Sequence, residues 1–170
     1  MTVIRIRSLG PSDTETILPL FKEMEEFYET SDVLSIEEIR RRVQRALFDP
    51  QSRICQALVA EYNGTVAGIA LFTPIFPASH LSTGMLLKDL FVCRDCRRIG
   101  VATQLLACLA QLAVERGYSR IDWTTEAENT AARATYDKIG ASLIGKVNYR
   151  LEGQRLRGMA ARITHECKAG

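Results

Sequence analysis

Residues 90–103 say more about the fold than any other part of the chain, and they read Leu90-Phe91-Val92-Cys93-Arg94-Asp95-Cys96-Arg97-Arg98-Ile99-Gly100-Val101-Ala102-Thr103. An apolar strand leads into a turn with two adjacent arginines, and the turn opens a helix through small residues at Gly100 and Ala102. Free N–H groups at a helix start carry about half a positive charge, so this turn suits an anion such as a pyrophosphate. We therefore expect a cofactor to bind here.

Two common phosphate-binding patterns do not fit this turn. A P-loop needs a lysine after the glycine step, and the dinucleotide-binding pattern needs glycines where this chain has Ala102 and Leu105. The turn has the form Arg-x-x-Gly-x-Ala, at Arg97, Gly100 and Ala102. This form resembles the acyl-coenzyme A pyrophosphate loop of the GNAT acetyltransferase superfamily. The alternative is an ordinary strand-to-helix turn with solvated arginines.

A second stretch, residues 129–141, strengthens the resemblance. Asn129 is followed by alanines, by Tyr136 and by a helix end with Lys138 and Gly140, which is similar to a later motif of the same superfamily. The two motifs occur in the order and at the separation that the superfamily shows, with a helix and a strand between them. Chance occurrence of both is improbable.

The composition predicts one domain over residues 1–170 and excludes several classes of protein. A net charge of +2 is too small to indicate nucleic-acid binding. The first residues have no apolar signal core, and no apolar run approaches the roughly 18 residues that span a bilayer. We expect a soluble, cytoplasmic protein that does not bind membranes.

The five cysteines are odd in number and lack the spacing of a disulfide scaffold, so free thiols are expected. Cys93 and Cys96 form a C-x-x-C, for which a redox or zinc site is the alternative interpretation. No second pair accompanies them, and His80 and His165 are not at metal-ligand spacing. No metal is predicted.

The hydrophobic pattern predicts a mixed α/β fold. Asn63-Gly64 between two apolar runs indicates a hairpin, and Gly117 and Gly140 stand where helices end. The predicted order is a strand at 3–9, helices at about 12–28 and 35–48, strands at 54–62 and 66–72, a loop at 74–84, a strand at 85–92, a helix at 99–116, a strand at 121–124, a helix at 130–139 and a final hairpin of 143–151 with 156–163.

This order agrees with the GNAT acyl-CoA N-acyltransferase fold over nearly the whole chain. The resemblance implies a mixed central sheet flanked by helices, with the fourth and fifth strands splayed apart to admit the pantetheine arm of acetyl-CoA. Those strands end near Val92 and Thr124.

The resemblance also implies roles for particular residues. Backbone groups of Phe91 and Val92 would bind the pantetheine and polarise the thioester. Tyr136 would protonate the leaving thiolate, unless it is only a packed aromatic, and Asn129 would contact the cofactor, unless it is only a helix cap. The residues that would hold the pyrophosphate are Arg97, Arg98, Gly100, Val101, Ala102 and Thr103.

The general base is less defined by the sequence. Within the superfamily the chain looks most like the spermidine/spermine and thialysine acetyltransferases, which have Leu-Glu-Asp before the apolar pair, whereas this chain has Lys88 in place of the Glu. Asp89 remains as a candidate base, with Glu126 or a water chain as alternatives. Asp89 could equally be a paired or solvated carboxylate.

An acidic helix face, Glu25, Glu26 and Glu29, together with Tyr28, is the candidate substrate site, because carboxylates attract a cationic amine. A solvated helix face is the alternative. The resemblance implies an acetyl-CoA-dependent N-acetyltransferase acting on a primary amine, such as a small amine, a polyamine or an amino acid. A protein lysine or N-terminal acetyltransferase and a non-catalytic acetyl-CoA sensor are the alternatives, and a homodimer is expected.

Overall fold

The computed structural model describes residues 3–28 and 32–162. A five-stranded sheet carries helices on both faces. The strands are β1 (Ile4–Ser8), β2 (Gln56–Tyr62), β3 (Thr65–Ile75), β4 (Gly84–Val92) and β5 (Ile121–Asp122), and the α-helices are α1 (Thr14–Tyr28), α2 (Ile36–Val43), α3 (Val101–Glu115), α4 (Thr130–Lys138) and α5 (Gly153–Ala160).

The sheet follows the order of the chain, β1-β2-β3-β4-β5. The first four strands pair antiparallel with their neighbours, and β5 pairs parallel with β4. The parallel pair requires a crossover, which α3 provides. The mixed α/β class predicted from the sequence is confirmed.

Each face of the sheet has its own hydrophobic cluster. Ile17, Phe21 and Ile39 from α1 and α2 pack with Ile69 and Phe91 on one face. On the other face, the apolar side of α3 packs on β2, β3 and β4; its buried members include Val101, Leu105, Leu109, Phe72, Met85 and Leu87. The sheet therefore separates α1 from α3, and both helices reach the end of β4.

Local sequence signals account for several element ends. Asn63 and Gly64 both have positive φ, at 52° and 79°, and form the two-residue turn between β2 and β3, as the Asn-Gly pair predicts. Ser35 caps α2 by accepting a hydrogen bond from the Glu38 N–H at 3.3 Å. Gly117 follows α3 with φ 67°.

The predicted loop at 74–84 is shorter in the structure, because β3 extends through Pro74 to Ile75. The last residue of β3 that pairs with β2 is Phe72, whose partner is Gln56. Beyond Phe72, β3 has β4 on one side only, and proline is tolerated where a strand has an open side.

The chain divides into two compact units, residues 1–139 and 140–170. In the described part of the second unit, residues 140–152 form no strand and α5 follows. The predicted hairpin of 143–151 with 156–163 is therefore wrong, although Ile163 lies outside the described residues. Leu156, Met159 and Ala160 stand at i, i+3 and i+4, which is a helical spacing and breaks the alternation that a strand requires. A single domain over 1–170 stays a prediction.

None of the helices in the described ranges combines the length and the apolar character that crossing a membrane demands.

Candidate functional site: the divergence of two parallel strands

β4 and β5 remain paired over only two residue pairs, Met85 with Ile121 and Leu86 with Asp122. β5 ends at Asp122, whereas β4 continues to Val92 and stays paired with β3. The two strands therefore separate beyond Leu86, as the splayed arrangement predicts. One side of β4 from Leu87 to Val92 has no strand beside it in the described chain.

A β-bulge lies in the part of β4 beyond the separation. Phe72 of β3 pairs with Leu87 and Leu71 pairs with Asp89, which leaves Lys88 as an extra residue in β4. Leu87 and Leu90 both pack in the cluster beneath α3. Because neighbours on either side of Lys88 and Asp89 share that face, the bulge directs both charged residues to the opposite face, where α1 lies.

Asp89 accepts a hydrogen bond from one tyrosine, and its charge acts on a second tyrosine from another helix. The hydroxyl of Tyr28, at the end of α1, donates a hydrogen bond to Asp89 Oδ1 at 3.0 Å. Tyr136 of α4 packs edge-on against Trp123, with ring centroids 5.3 Å apart, and its side chain is half-buried. Asp89, Tyr28 and Tyr136 form what we call the carboxylate cluster.

The electrostatics of the carboxylate cluster couple its three members. Burial raises the pKa of Asp89, whereas the Tyr28 hydrogen bond and the charge of Lys88 oppose that rise. Burial also raises the pKa of Tyr136, and the negative charge of Asp89 adds to the effect. The pKa of Tyr28 is raised as well, by burial first and by the charge of Asp89 second. The site thus holds a carboxylate that retains a proton more readily than a surface aspartate, beside tyrosines that keep theirs.

The turn before α3 presents a row of backbone donors. Arg98 and Gly100 have positive φ, at 64° and 96°, and the first α3 hydrogen bond runs from the Gln104 N–H to the Gly100 carbonyl at 3.0 Å. Within the described chain, no oxygen accepts a hydrogen bond from the N–H groups of residues 98–103. Successive free N–H groups at a helix start form an anion-binding concavity, so these donors fit a pyrophosphate.

Gly68 of β3 allows α3 to start close to the sheet. A Cβ at Gly68 would lie 2.9 Å from the Phe91 carbonyl oxygen and 3.0 Å from Val101 Cγ1. Only glycine fits a contact that close. Gly68 therefore sets the distance between the end of β4 and the row of donors, a role that sequence reasoning missed although an isolated glycine in a strand pattern signals a close approach.

The two arginines of the turn differ in their surroundings. Arg97 Nε donates to the Val92 carbonyl at 3.1 Å, and its guanidinium lies 5.2 Å from the Phe27 ring centroid and 5.7 Å from that of Phe91. Arg97 thus turns towards α1 and the carboxylate cluster. Arg98 is exposed at the turn itself.

Helix α1 also contacts the turn through Glu23. Its Oε1 accepts a hydrogen bond from the Arg94 N–H at 2.7 Å, at the start of the short helical turn Arg94–Cys96. Sequence reasoning did not single out Glu23, and no local signal identifies it, because its partner is far along the chain.

Asn129 is a helix cap in the structure: its Oδ1 accepts from the Ala132 N–H at 3.1 Å. This supports one of the two interpretations of the residue and leaves its contact with a cofactor a prediction. Trp123, which follows β5, packs against the ring of Tyr136 and restricts its position.

The remaining substrate and base candidates are not gathered into the carboxylate cluster. Glu26 is two residues before Tyr28, which places it about 200° around the helix from that tyrosine. In the described ranges neither Glu25 nor Glu26 forms an ion pair, and Glu29 lies outside them. Glu126 is exposed, and its carbonyl accepts from the Asn129 N–H at 3.0 Å.

The two cysteines of the C-x-x-C pair, Cys93 and Cys96, lie at the two ends of the short helical turn Arg94–Cys96. The Cys96 N–H donates to the Cys93 carbonyl at 3.0 Å, and both residues are free thiols that are partly buried. Burial and the neighbouring Cys96 raise the pKa of Cys93 to about 11. Such a thiol is protonated at neutral pH and is a poor nucleophile.

Comparison with known proteins agrees with this geometry. The family model of the GNAT acetyltransferases matches residues 17–141. An uncharacterized N-acetyltransferase of Bacillus subtilis, YhfO, is 31% identical over 81% of this chain and 89% of its own length. The thialysine N-epsilon-acetyltransferase of Mus musculus is 26% identical over 95% of this chain and 100% of its own.

Among solved structures, an integron cassette protein from the mobile metagenome of V. cholerae is 32% identical. The structural match covers 92% of this chain and 97% of the cassette protein, with a TM-score of 0.86.

The separated parallel strands, the row of donors before α3 and these matches define the class: the chain belongs to the GNAT acetyltransferase family. It is an acetyl-CoA-dependent N-acetyltransferase.

Proposed function

We propose that this enzyme transfers the acetyl group of acetyl-CoA to the primary amine of a small acceptor: a small amine, a polyamine or an amino acid. The carboxylate cluster carries the proposal. In this proposal Asp89 would accept a proton and Tyr136 would donate one beside the open side of β4, which the effect of the Asp89 charge on Tyr136 supports. Acetyl transfer to an amine needs both functions at one place.

The donor site uses the turn before α3. Acetyl-CoA supplies an acetyl thioester and a pyrophosphate. The free N–H groups of residues 98–103 support a pyrophosphate at the helix start, with Arg98 adding charge there. Phe91 and Val92, on the stretch of β4 that has left β5, would bind the pantetheine with their backbone, and Asn129 would contact the donor as well as capping α4.

Two proton transfers accompany the reaction. The amine nitrogen forms a bond to the acetyl carbon while the carbon–sulfur bond breaks. The amine gives its proton to Asp89, directly or through water, and Tyr136 gives a proton to the departing sulfur. A raised pKa makes Asp89 a stronger base than a surface aspartate, and burial keeps Tyr136 protonated until it donates.

The acceptor would approach past Tyr28 at the end of α1, where residues of α1 and β4 meet. The mouse relative is a thialysine N-epsilon-acetyltransferase, which supports an amine acceptor. We also propose a cytoplasmic location and a homodimer. The dimer is supported by β1, which lies at an edge of the sheet and, among the strands of residues 3–28 and 32–162, pairs with β2 alone.

The test is thiol release from acetyl-CoA on adding amines. We expect release that depends on the amine, for a panel of spermidine, lysine, thialysine and short diamines. A second arm with lysine-containing peptides and free peptide N-termini separates small acceptors from proteins. Acetyl-CoA binding by calorimetry without release for any small amine would contradict the proposal, and release with peptides alone would replace it with a protein acetyltransferase.

A further inference from the structure

The bulge in β4 sets a positive charge beside the carboxylate cluster. Lys88 is the extra residue of the bulge, it is exposed, and it lies on the α1 face of the sheet together with Asp89. In a regular strand consecutive residues point to opposite faces. Here the bulge places the side chains of two adjacent residues, Lys88 and Asp89, on the same face, and the Asp89 carboxylate accepts a hydrogen bond from the Tyr28 hydroxyl.

A second cation lies on the same side. The Arg97 guanidinium lies over the Phe27 ring at 5.2 Å, one residue from Tyr28, and its charge opposes the rise that burial and Asp89 cause in the pKa of Tyr28. Within residues 3–28 and 32–162, the charged groups that act on Tyr28 and Asp89 from neighbouring residues are Lys88 and Arg97. Lys88 thus acts on Asp89 itself, and Arg97 acts on the tyrosine that hydrogen-bonds Asp89.

The charges of Lys88 and Arg97 favour some acceptors over others, according to the charge of the group that an acceptor carries besides its reacting amine. An acceptor with several amines keeps a positive charge on the groups that do not react, and Lys88 and Arg97 repel that charge. An acceptor that bears a carboxylate near its amine is attracted instead. Ammonium and carboxylate of one molecule then match the adjacent carboxylate and ammonium of the bulge.

We infer that Lys88 is a specificity-determining residue that selects amines bearing a carboxylate, such as amino acids, over polyamines. The inference rests on the proposed function and narrows its acceptor class. Lys88 forms no salt bridge with the carboxylates of the described chain, so its ammonium is available to an acceptor.

Lysine and 1,5-diaminopentane are a matched pair for the test, because they share both amines and the chain between them and differ by the carboxylate alone. We expect kcat/KM of the wild-type enzyme to be about tenfold higher for lysine, mostly through KM. Lys88→Glu should reduce the ratio by about tenfold or invert it, and Lys88→Met should give an intermediate ratio.

Lys22→Glu is the control, because Lys22 is an exposed residue of α1 and the substitution changes net charge equally. It should leave the ratio unchanged. Equal use of both amines by the wild type, a preference for the diamine, or the same ratio in Lys88→Glu and Lys22→Glu would overturn the inference.

The two proposals fail separately. If other amines are acetylated but lysine and other amino acids are not, the proposed function stands and the inference is overturned. If no small amine is acetylated, both are overturned.

Discussion

The Tyr28 hydroxyl donates a hydrogen bond of 3.0 Å to Asp89 Oδ1, across residues 61 positions apart in the chain. This bond joins the end of α1 to the bulge of β4 and opposes the rise in the pKa of Asp89 that burial causes. It therefore favours the charged carboxylate form of Asp89 against the effect of burial.

Tyr28→Phe should shift the pH dependence of the enzyme. Loss of the hydrogen bond leaves the effect of burial less opposed, so the pKa of Asp89 rises further. Because the base must be deprotonated to act, the acidic limb of the kcat/KM profile should move to higher pH. Tyr62→Phe, at a tyrosine of β2 away from the cluster, should leave the limb in place. A limb that does not move in Tyr28→Phe would show that Asp89 is not the titrating base.

Asp89→Asn should separate activity from stability. Because the folded state raises the pKa of Asp89 above its ordinary value of 3.8, the folded protein binds a proton there more tightly than the unfolded chain, and the charged carboxylate lowers the free energy of unfolding above that raised pKa. The asparagine removes this cost, so denaturation at pH 8 should show equal or greater stability, while kcat falls by about 10²- to 10⁴-fold. A fall in both would indicate a structural role.

Tyr136→Phe should lower kcat by about 10²- to 10⁴-fold with little change in acetyl-CoA affinity, because it removes the proposed proton donor and keeps the ring that packs on Trp123. Steady-state kinetics and calorimetry measure the two quantities. Since the ring contact is retained, an unchanged kcat would remove Tyr136 from the mechanism.

The two arginines of the turn should respond differently to alanine. Arg98→Ala should weaken acetyl-CoA binding by about 1–2 kcal/mol and leave the fold intact, because Arg98 is exposed at the turn that we propose binds the pyrophosphate. Arg97→Ala should also destabilise the fold by about 1 kcal/mol, because it removes contacts with the rings of Phe27 and Phe91. If both variants bind acetyl-CoA as tightly as the wild-type enzyme does, neither guanidinium contacts the pyrophosphate.

Gly68→Ala should destabilise the protein by about 1–3 kcal/mol, because its Cβ would lie 2.9 Å from the Phe91 carbonyl oxygen and force α3 away from β3. The displaced donors should bind acetyl-CoA more weakly. Gly145→Ala is the matched control, since a Cβ there has no atom within 4 Å in the described structure. Equal melting temperatures for the two variants would contradict the close approach.

The sequence predicts well those features that local chemistry determines. The turn at Asn63 and Gly64 and the start of α3 at Gly100 follow from residues that favour positive φ. The order of elements through α4 also agrees, because long periodic segments carry a strong signal.

Features that depend on distant partners could not be predicted. No pattern within β4 indicates that Lys88 is a bulge, because the bulge is defined by its register with β3. The Tyr28 bond to Asp89 and the Glu23 bond to Arg94 join segments far apart in the chain. The roles of the carboxylate cluster and the acidic residues of α1 stay predictions.

Helix α1 carries Glu23 and Tyr28 five residues apart, about 7.5 Å along its axis. Glu23 accepts a hydrogen bond from the Arg94 N–H in the turn before α3, and Tyr28 donates one to the Asp89 carboxylate at the bulge. Helix α1 therefore fixes the distance between the two regions that we propose bind acetyl-CoA and the amine. A substitution that slides α1 changes both halves at once, so affinity for acetyl-CoA and the alignment of the amine should vary together across variants of its buried face.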